Sequence, residues 1–218
     1  MEGQGLVTPA LDPALLAVAL ATTGFLPEQE GLALFEAGMR GAAVGPLLEI
    51  GSYCGRSAVF LGGAARSRGT VVYSIDHHRG SEENQPRQQW HDPELIDASG
   101  RVDTLPAFRR TIEKARLEDV VIPIVARSEI VAPGWRTPLG LLFIDGGHSE
   151  SSATADYEGW GPTVAPGGIL AIHDVFEDPA DGGRPPFEIY QRALTSEAFR
   201  PVDECGSLRV LERVAPGI

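Results

Sequence analysis

The chain has 218 residues, 43% of them hydrophobic and 22% charged, with a formal net charge of −12. That length makes one domain the default and suffices for a full sheet covered on both faces. The acidic balance, with arginines scattered rather than clustered, argues against a nucleic-acid substrate, whose phosphates require a basic surface.

In chain order, residues 1–12 read as a loose arm. Pro13 to Thr22 reads as a helix, with Asp12 as N-cap and Pro13 in its first turn. Its apolar run, Ala14 to Ala21, is far below the ~18 residues of a membrane span, and no basic leader opens the chain. A second helix starts at Pro27-Glu28-Gln29-Glu30 and carries Leu32, Leu34, Phe35 and Met39. Residues 1–44 thus form an N-terminal helical cap, which covers a sheet edge, a substrate pocket or a partner in a homodimer. Residues 45–218 form the main domain.

That domain opens with an apolar strand, Leu47 to Ile50, which contains the acid Glu49. The turn Gly51-Ser52-Tyr53-Cys54-Gly55 follows, and then a helix from Ser57 to Ala65. Glycines there let the backbone bend sharply and let a ligand approach where a Cβ would intrude. The helix N-terminus behind them offers free N–H groups. The pattern is E-x-G-x-x-x-G, not the dinucleotide G-x-G-x-x-G. Gly55 is followed by Arg56 rather than the lysine of a P-loop, and the chain's one lysine is Lys114. A second strand, Val71 to Ile75, ends in Asp76, where an acid suits a ribose diol.

His77 to Pro106 is long, polar and aperiodic, as expected of a lid-like insertion. It holds Trp90, which either stacks on a ligand or packs into the core. A helix over Ala107–Arg116 and a strand over Val120–Val125 lead to Arg127-Ser128-Glu129. The strand Leu141–Ile144 then delivers Asp145-Gly146-Gly147-His148, and a helix covers Ser151–Trp160. Within it, Asp156 reads as a surface or structural acid. After the turn Ala165–Gly168, the strand Ile169–Ile172 ends in His173-Asp174. Arg184-Pro185-Pro186-Phe187 reads as a rigid loop, and Arg200–Asp203 with Leu208–Arg213 as a hairpin. Acids and imidazoles at two strand ends mark the carboxyl edge of an α/β sheet, where ligands bind. Cys54 and Cys205 form no disulfide framework and suit a reducing cytoplasm.

The order ExGxxxG, strand-terminal Asp76, F-I-D-G-G-H and P-G-G-I-L-A-I-H-D resembles class I S-adenosylmethionine-dependent methyltransferases over about residues 45–212. Within that class it is most similar to small metal-dependent O-methyltransferases acting on sugars and natural products. Actinobacterial enzymes that methylate mannose-type polysaccharide precursors are the suggested relatives. The resemblance implies a Rossmann-like, mostly parallel seven-stranded sheet with helices on both faces and a C-terminal antiparallel hairpin. It implies S-adenosyl-L-methionine contacts at Glu49, Gly51, Ser52, Gly55, Ser57, Asp76, His77, Ser128 and Asp145, with Ser128 beside the adenine. Asp145, His173 and Asp174 would hold a divalent metal, typically Mg2+. Catechol-type relatives carry a lysine three positions after the metal-binding aspartate. Here that position is His148, so the implied general base is an imidazole, which titrates near neutrality without special burial. His173, where some relatives have glutamate, loosens the preference for magnesium and makes manganese or iron thinkable.

The acceptor expected on this reading is a hydroxylated small molecule. Three rivals stand beside it, one of them a cofactor-binding regulator that has lost catalysis, against which the intact D-G-G-H and H-D elements argue. A nicotinamide-dependent oxidoreductase suffers from the wrong glycine spacing and lacks a Tyr-x-x-x-Lys pair. A metal-dependent hydrolase leaves Glu49 and Asp76 without a task.

Overall fold

The computed structural model describes residues 10–218 except Glu82, Glu83, Pro86, Gln89, His148, Pro179 and Asp181. Five parallel strands form the body of one sheet: β1 (Leu47–Ile50), β2 (Val72–Asp76), β3 (Val121–Val125), β4 (Leu139–Ile144) and β5 (Val164–Ile172). The strands β6 (Phe199–Cys205) and β7 (Leu208–Arg213) close it as an antiparallel hairpin, giving the order β3-β2-β1-β4-β5-β7-β6. The expected seven-stranded, mostly parallel sheet is therefore present. Its order reverses between β1 and β4, and that crevice at the carboxyl ends is where open α/β sheets bind ligands.

Side chains alternate across each strand, and this sorts the core into two layers. Leu47, Leu141, Phe143, Ile169 and Ala171 face one layer. That layer is built by α1 (Pro13–Ala21), α2 (Glu28–Gly41), α3 (Arg56–Arg68) and α4 (Leu105–Ala115). Leu48, Ile50, Leu142, Ile144, Leu170 and Ile172 face the other. Tyr157 and Trp160 of α6 (Glu150–Trp160) and Ile189 and Ala193 of α7 (Pro185–Thr195) cover that side. A four-residue helix, α5 (Ser128–Val131), follows β3. Among the described residues, no helix is long and apolar enough to cross a membrane.

Two local expectations are corrected. Pro185 and Pro186 do not make a rigid loop but start α7. A proline costs nothing in the first helical turn, where its missing N–H has no partner to lose. β5 begins at Val164 and runs through the expected turn, with a register shift against β4 between Leu139 and Leu141. In the 77–106 segment, a 3-10 turn spans Pro93–Leu95, Ile96 bridges Val102, and the Arg79 guanidinium lies 2.9 Å from Asp97.

The first two helices are clipped onto the sheet layer by Arg56. Its Nε and Nη2 donate to the Thr22 carbonyl at 3.0 and 2.7 Å, and Nη1 donates to the Leu26 carbonyl at 2.9 Å. The planar fork reaches two carbonyls from one side chain, which an ammonium cannot reproduce. Arg56→Met should therefore cost about 2–3 kcal/mol in denaturant unfolding. Arg56→Lys should recover only part of that loss.

Candidate active site

The crevice is built from strand-end chemistry that the alternation dictates. Glu49 shares a face with Leu47, so it points under the N-terminus of α3 and is fully buried. Ser57 Oγ donates to its Oε2 at 2.7 Å, and Ser74 Oγ donates to its Oε1. Burial pushes its carboxyl up to about 7, and the nearby charges of Asp145 and Asp76 add to this against the two hydroxyl donors. Glu49 and Ser57 thus brace the turn from inside. Asp76 braces it from the side: its Oδ2 accepts from the Ser52 and Tyr53 amides at 3.1 and 2.8 Å, and its Oδ1 from the His78 amide at 2.6 Å. Tyr53 is held at φ 46 and Gly51 at φ 87. A Cβ on Gly51 would collide with the Asp145 carbonyl, so the β1 turn and the β4 end nearly touch. Ser52 Oγ is buried and finds no partner among the described residues. Orphaned hydroxyl, glycines and fixed amides together form a cradle that fits a small polar ligand.

The second half lies at the ends of β4 and β5. His173 continues the face of Ile169 and Ala171, which brings its ring to α2. Its Nδ1 lies 3.1 Å from Asp145 Oδ1 and 3.4 Å from Asp174 Oδ2, and its Nε2 lies 2.6 Å from Glu30 Oε2. Burial opposes a charged ring here, but the charge of Asp145 and the hydrogen bonds of Asp145, Asp174 and Glu30 outweigh it and push the pKa up to about 12. Glu30 is correspondingly lowered: burial raises it, but His173 and Ser207 more than offset that. Asp174 adopts φ 55, a left-handed conformation that aspartate tolerates better than most side chains.

One ligand atom each from Asp145, His173 and Asp174 lies within 4.8 Å of the others. Neighbouring ligands of an octahedral ion at 2.0–2.1 Å stand about 3 Å apart, close to the separations around Nδ1. Two carboxylate oxygens and one imidazole therefore fit a divalent cation.

The other expected residues divide. Ser128 Oγ donates to Asp156, which is buried and pushed up to about 6 by burial. Asp156 is thus a structural acid and not a surface one. His77 Nδ1 accepts from the Arg79 amide at 3.1 Å. Gly55 opens α3 at φ 93. His148 lies outside the described residues. Trp90 stays 46% exposed rather than joining the core. It meets Phe25 edge-on at 5.1 Å between ring centroids, and Phe25 lies 5.5 Å from Tyr53. Cys54 is buried, and burial pushes its thiol up to about 12, which disfavours the thiolate.

Sequence reasoning missed Glu30. The available signal was an acid four residues before Leu34, on the apolar stripe of α2.

Residues 48–175 match a family model described as methyltransferase domain. Several solved structures share the fold. The O-methyltransferase TomG of Streptomyces achromogenes, involved in tomaymycin synthesis and solved with SAM, is 16% identical at TM-score 0.63, over 96% of this chain and 92% of that one. An O-methyltransferase of Bacillus cereus in complex with SAH is 18% identical at TM-score 0.61, over 96% and 93%. The SAH-bound methyltransferase PaMTH1 of Podospora anserina is 13% identical at TM-score 0.66, over 95% and 90%.

Two outcomes follow from the turn. The Glu49 carboxyl moves from 4.5 to about 7 on folding, so the folded state holds a proton that the unfolded state has released. Its contribution to stability is full below 4.5 and falls as pH rises through 7. Glu49→Gln should remove that slope, a difference on the order of 3 kcal/mol between pH 4.5 and 8 in denaturant unfolding. Gly51→Ala should cost more than Gly55→Ala. Both substitutions force a left-handed alanine, about 1–2 kcal/mol, but only the first also displaces the Asp145 backbone. Their melting temperatures give the comparison.

Proposed function

This chain belongs to the methyltransferase-domain family, and from that premise we propose that it is an S-adenosyl-L-methionine-dependent O-methyltransferase acting on a hydroxyl of a small molecule, a sugar or related natural product, with a divalent cation, Mg2+ first. The observation that carries this reading is the convergence of Asp145, His173 and Asp174 at the carboxyl edge of the sheet, directly beside the glycine turn.

When bound, the sulfonium cofactor supplies an electrophilic methyl group and the cation supplies positive charge beside the acceptor oxygen. The chain's own residues do the rest. Gly51 and Gly55 leave room for the cofactor, while the Asp76-anchored turn, Ser52, His77 and Ser128 line its place. Asp145, His173 and Asp174 hold the cation. His148 takes the proton of the acceptor hydroxyl, an effect of about 10²- to 10⁴-fold. Fixing both substrates in line can contribute about 7–11 kcal/mol, and a rigid turn suits that task.

The exposed Phe25 and Trp90 rings, with half-buried Tyr53 beside them, supply an aromatic wall to one side of the turn, suited to the flat apolar face of a sugar or an aromatic ring. Residues 77–106 then act as the lid that carries Trp90. The −12 charge and the paired-cysteine-free chain suit a cytoplasmic enzyme of small molecules rather than of nucleic acid.

Transfer of a labelled methyl group to a panel of hydroxylated sugars and phenols is the direct test. Chelator should abolish turnover and Mg2+ restore it, and full turnover in chelator would overturn the metal role. His148→Ala should lower turnover about 10²- to 10⁴-fold with cofactor affinity unchanged. An active His148→Ala chain would remove His148 as the base.

A further inference from the structure

The ring of His173 is held from behind by residues outside the 48–175 region that matches the family model. Glu30 lies on the buried stripe of α2 with Leu34, Ala37 and Gly38. Its Oε2 lies 2.6 Å from His173 Nε2. The carboxylate is itself held by the β6–β7 turn: the Ser207 amide donates to Oε1 at 3.0 Å, and Ser207 Oγ donates to Oε2 at 3.1 Å. That turn needs glycine at 206, because Gly206 has φ 54 and a Cβ there would run into the Glu30 carboxylate. The turn is fastened back to the end of β5 by the Val175 amide, which donates to the Ser207 carbonyl at 3.0 Å. His173 and Glu30 side chains are only 3% and 9% exposed, so water does not compete for this bond.

A neutral imidazole has one N–H and one lone pair. If a carboxylate takes the N–H at Nε2, the lone pair is at Nδ1, on the side of Asp145 and Asp174. Carboxylate partners of this kind orient metal-bound histidines and raise their basicity. We propose that Glu30 is a positioning residue which, given the cation reading above, fixes His173 in the Nε2–H tautomer so that Nδ1 faces the divalent ion. The N-terminal helix and the C-terminal hairpin then belong to the metal site, although neither supplies a ligand.

The test compares the full-length wild type with Glu30→Ala, Glu30→Gln and Asp145→Asn. Mn2+ affinity is read by electron paramagnetic resonance, melting temperature by calorimetry, and the His173 tautomer by nitrogen-15 NMR with Mg2+. Glu30→Ala should weaken Mn2+ about 10- to 100-fold and mix the tautomers. Glu30→Gln keeps an acceptor for the Nε2 proton and should recover part of both. Asp145→Asn should remove Mn2+ binding while leaving the Nε2 proton in place. A purely structural Glu30 would lower the melting temperature in both Glu30 variants with affinity and tautomer unchanged, which overturns the proposal. If the wild type binds no Mn2+, the cation reading fails. The orientation claim is then decided by the metal-free spectrum, in which the ring carries both protons: an Nε2 proton that exchanges slowly in the wild type and fast in Glu30→Ala upholds the hold of Glu30 on Nε2, and equal Nε2 exchange in both chains overturns it.

Discussion

A buried imidazole between carboxylates is the constraint on which the architecture of the site turns. Taking His173 out of water is costly unless its two nitrogens are both engaged. The engagement recruits residues distant in sequence: Glu30 from the first third of the chain, Asp145 and Asp174 from the sheet ends, and Ser207 from the last hairpin. The β4 and β5 ends are locked in step as well, since the His173 amide donates to the Ile144 carbonyl at 3.1 Å. Packing alone would let these segments slide. The polar node fixes where they meet.

Along the same edge, four strands end in or near an acid, and depth sets the fate of each. Glu49 is sunk below the turn, where burial favours its neutral form and two serine hydroxyls satisfy its oxygens. Asp76 sits half-exposed and spends both oxygens on backbone amides, which holds the turn in its left-handed path. Asp145 and Asp174 surround Nδ1 of His173 at the rim. Four like charges in one crevice would repel strongly in a low-dielectric setting. Dividing them among a raised pKa, amide donors and the cationic ring of His173 resolves that conflict.

Much of the fold was legible because short continuous apolar runs, buried on both faces, and glycine turns are local signals. The runs ending at Ile50, Ile144 and Ile172 located the central strands, and the residues just beyond them located the rim. The missed pieces were non-local or ambiguous. Pro185-Pro186 favours a loop and a helix start equally, and only the burial of Ile189 and Ala193 behind it decides for α7. Asp156 reads equally as a surface or a structural acid, and only Ser128, from a different segment, decides for the second. Glu30 belongs to a helix whose tertiary neighbour is 143 residues away, and no spacing rule spans such a distance.

The hairpin turn at Gly206-Ser207 has a consequence for anyone recombining this scaffold with its relatives. Because the turn clamps an acid carried by the second helix, the two chain ends form an interlocking pair across the rim. A chimaera that imports either end alone keeps this clamp only where the import also carries the acid or the Gly-Ser turn. Helix and hairpin should travel together in any graft, as if they were one discontinuous module.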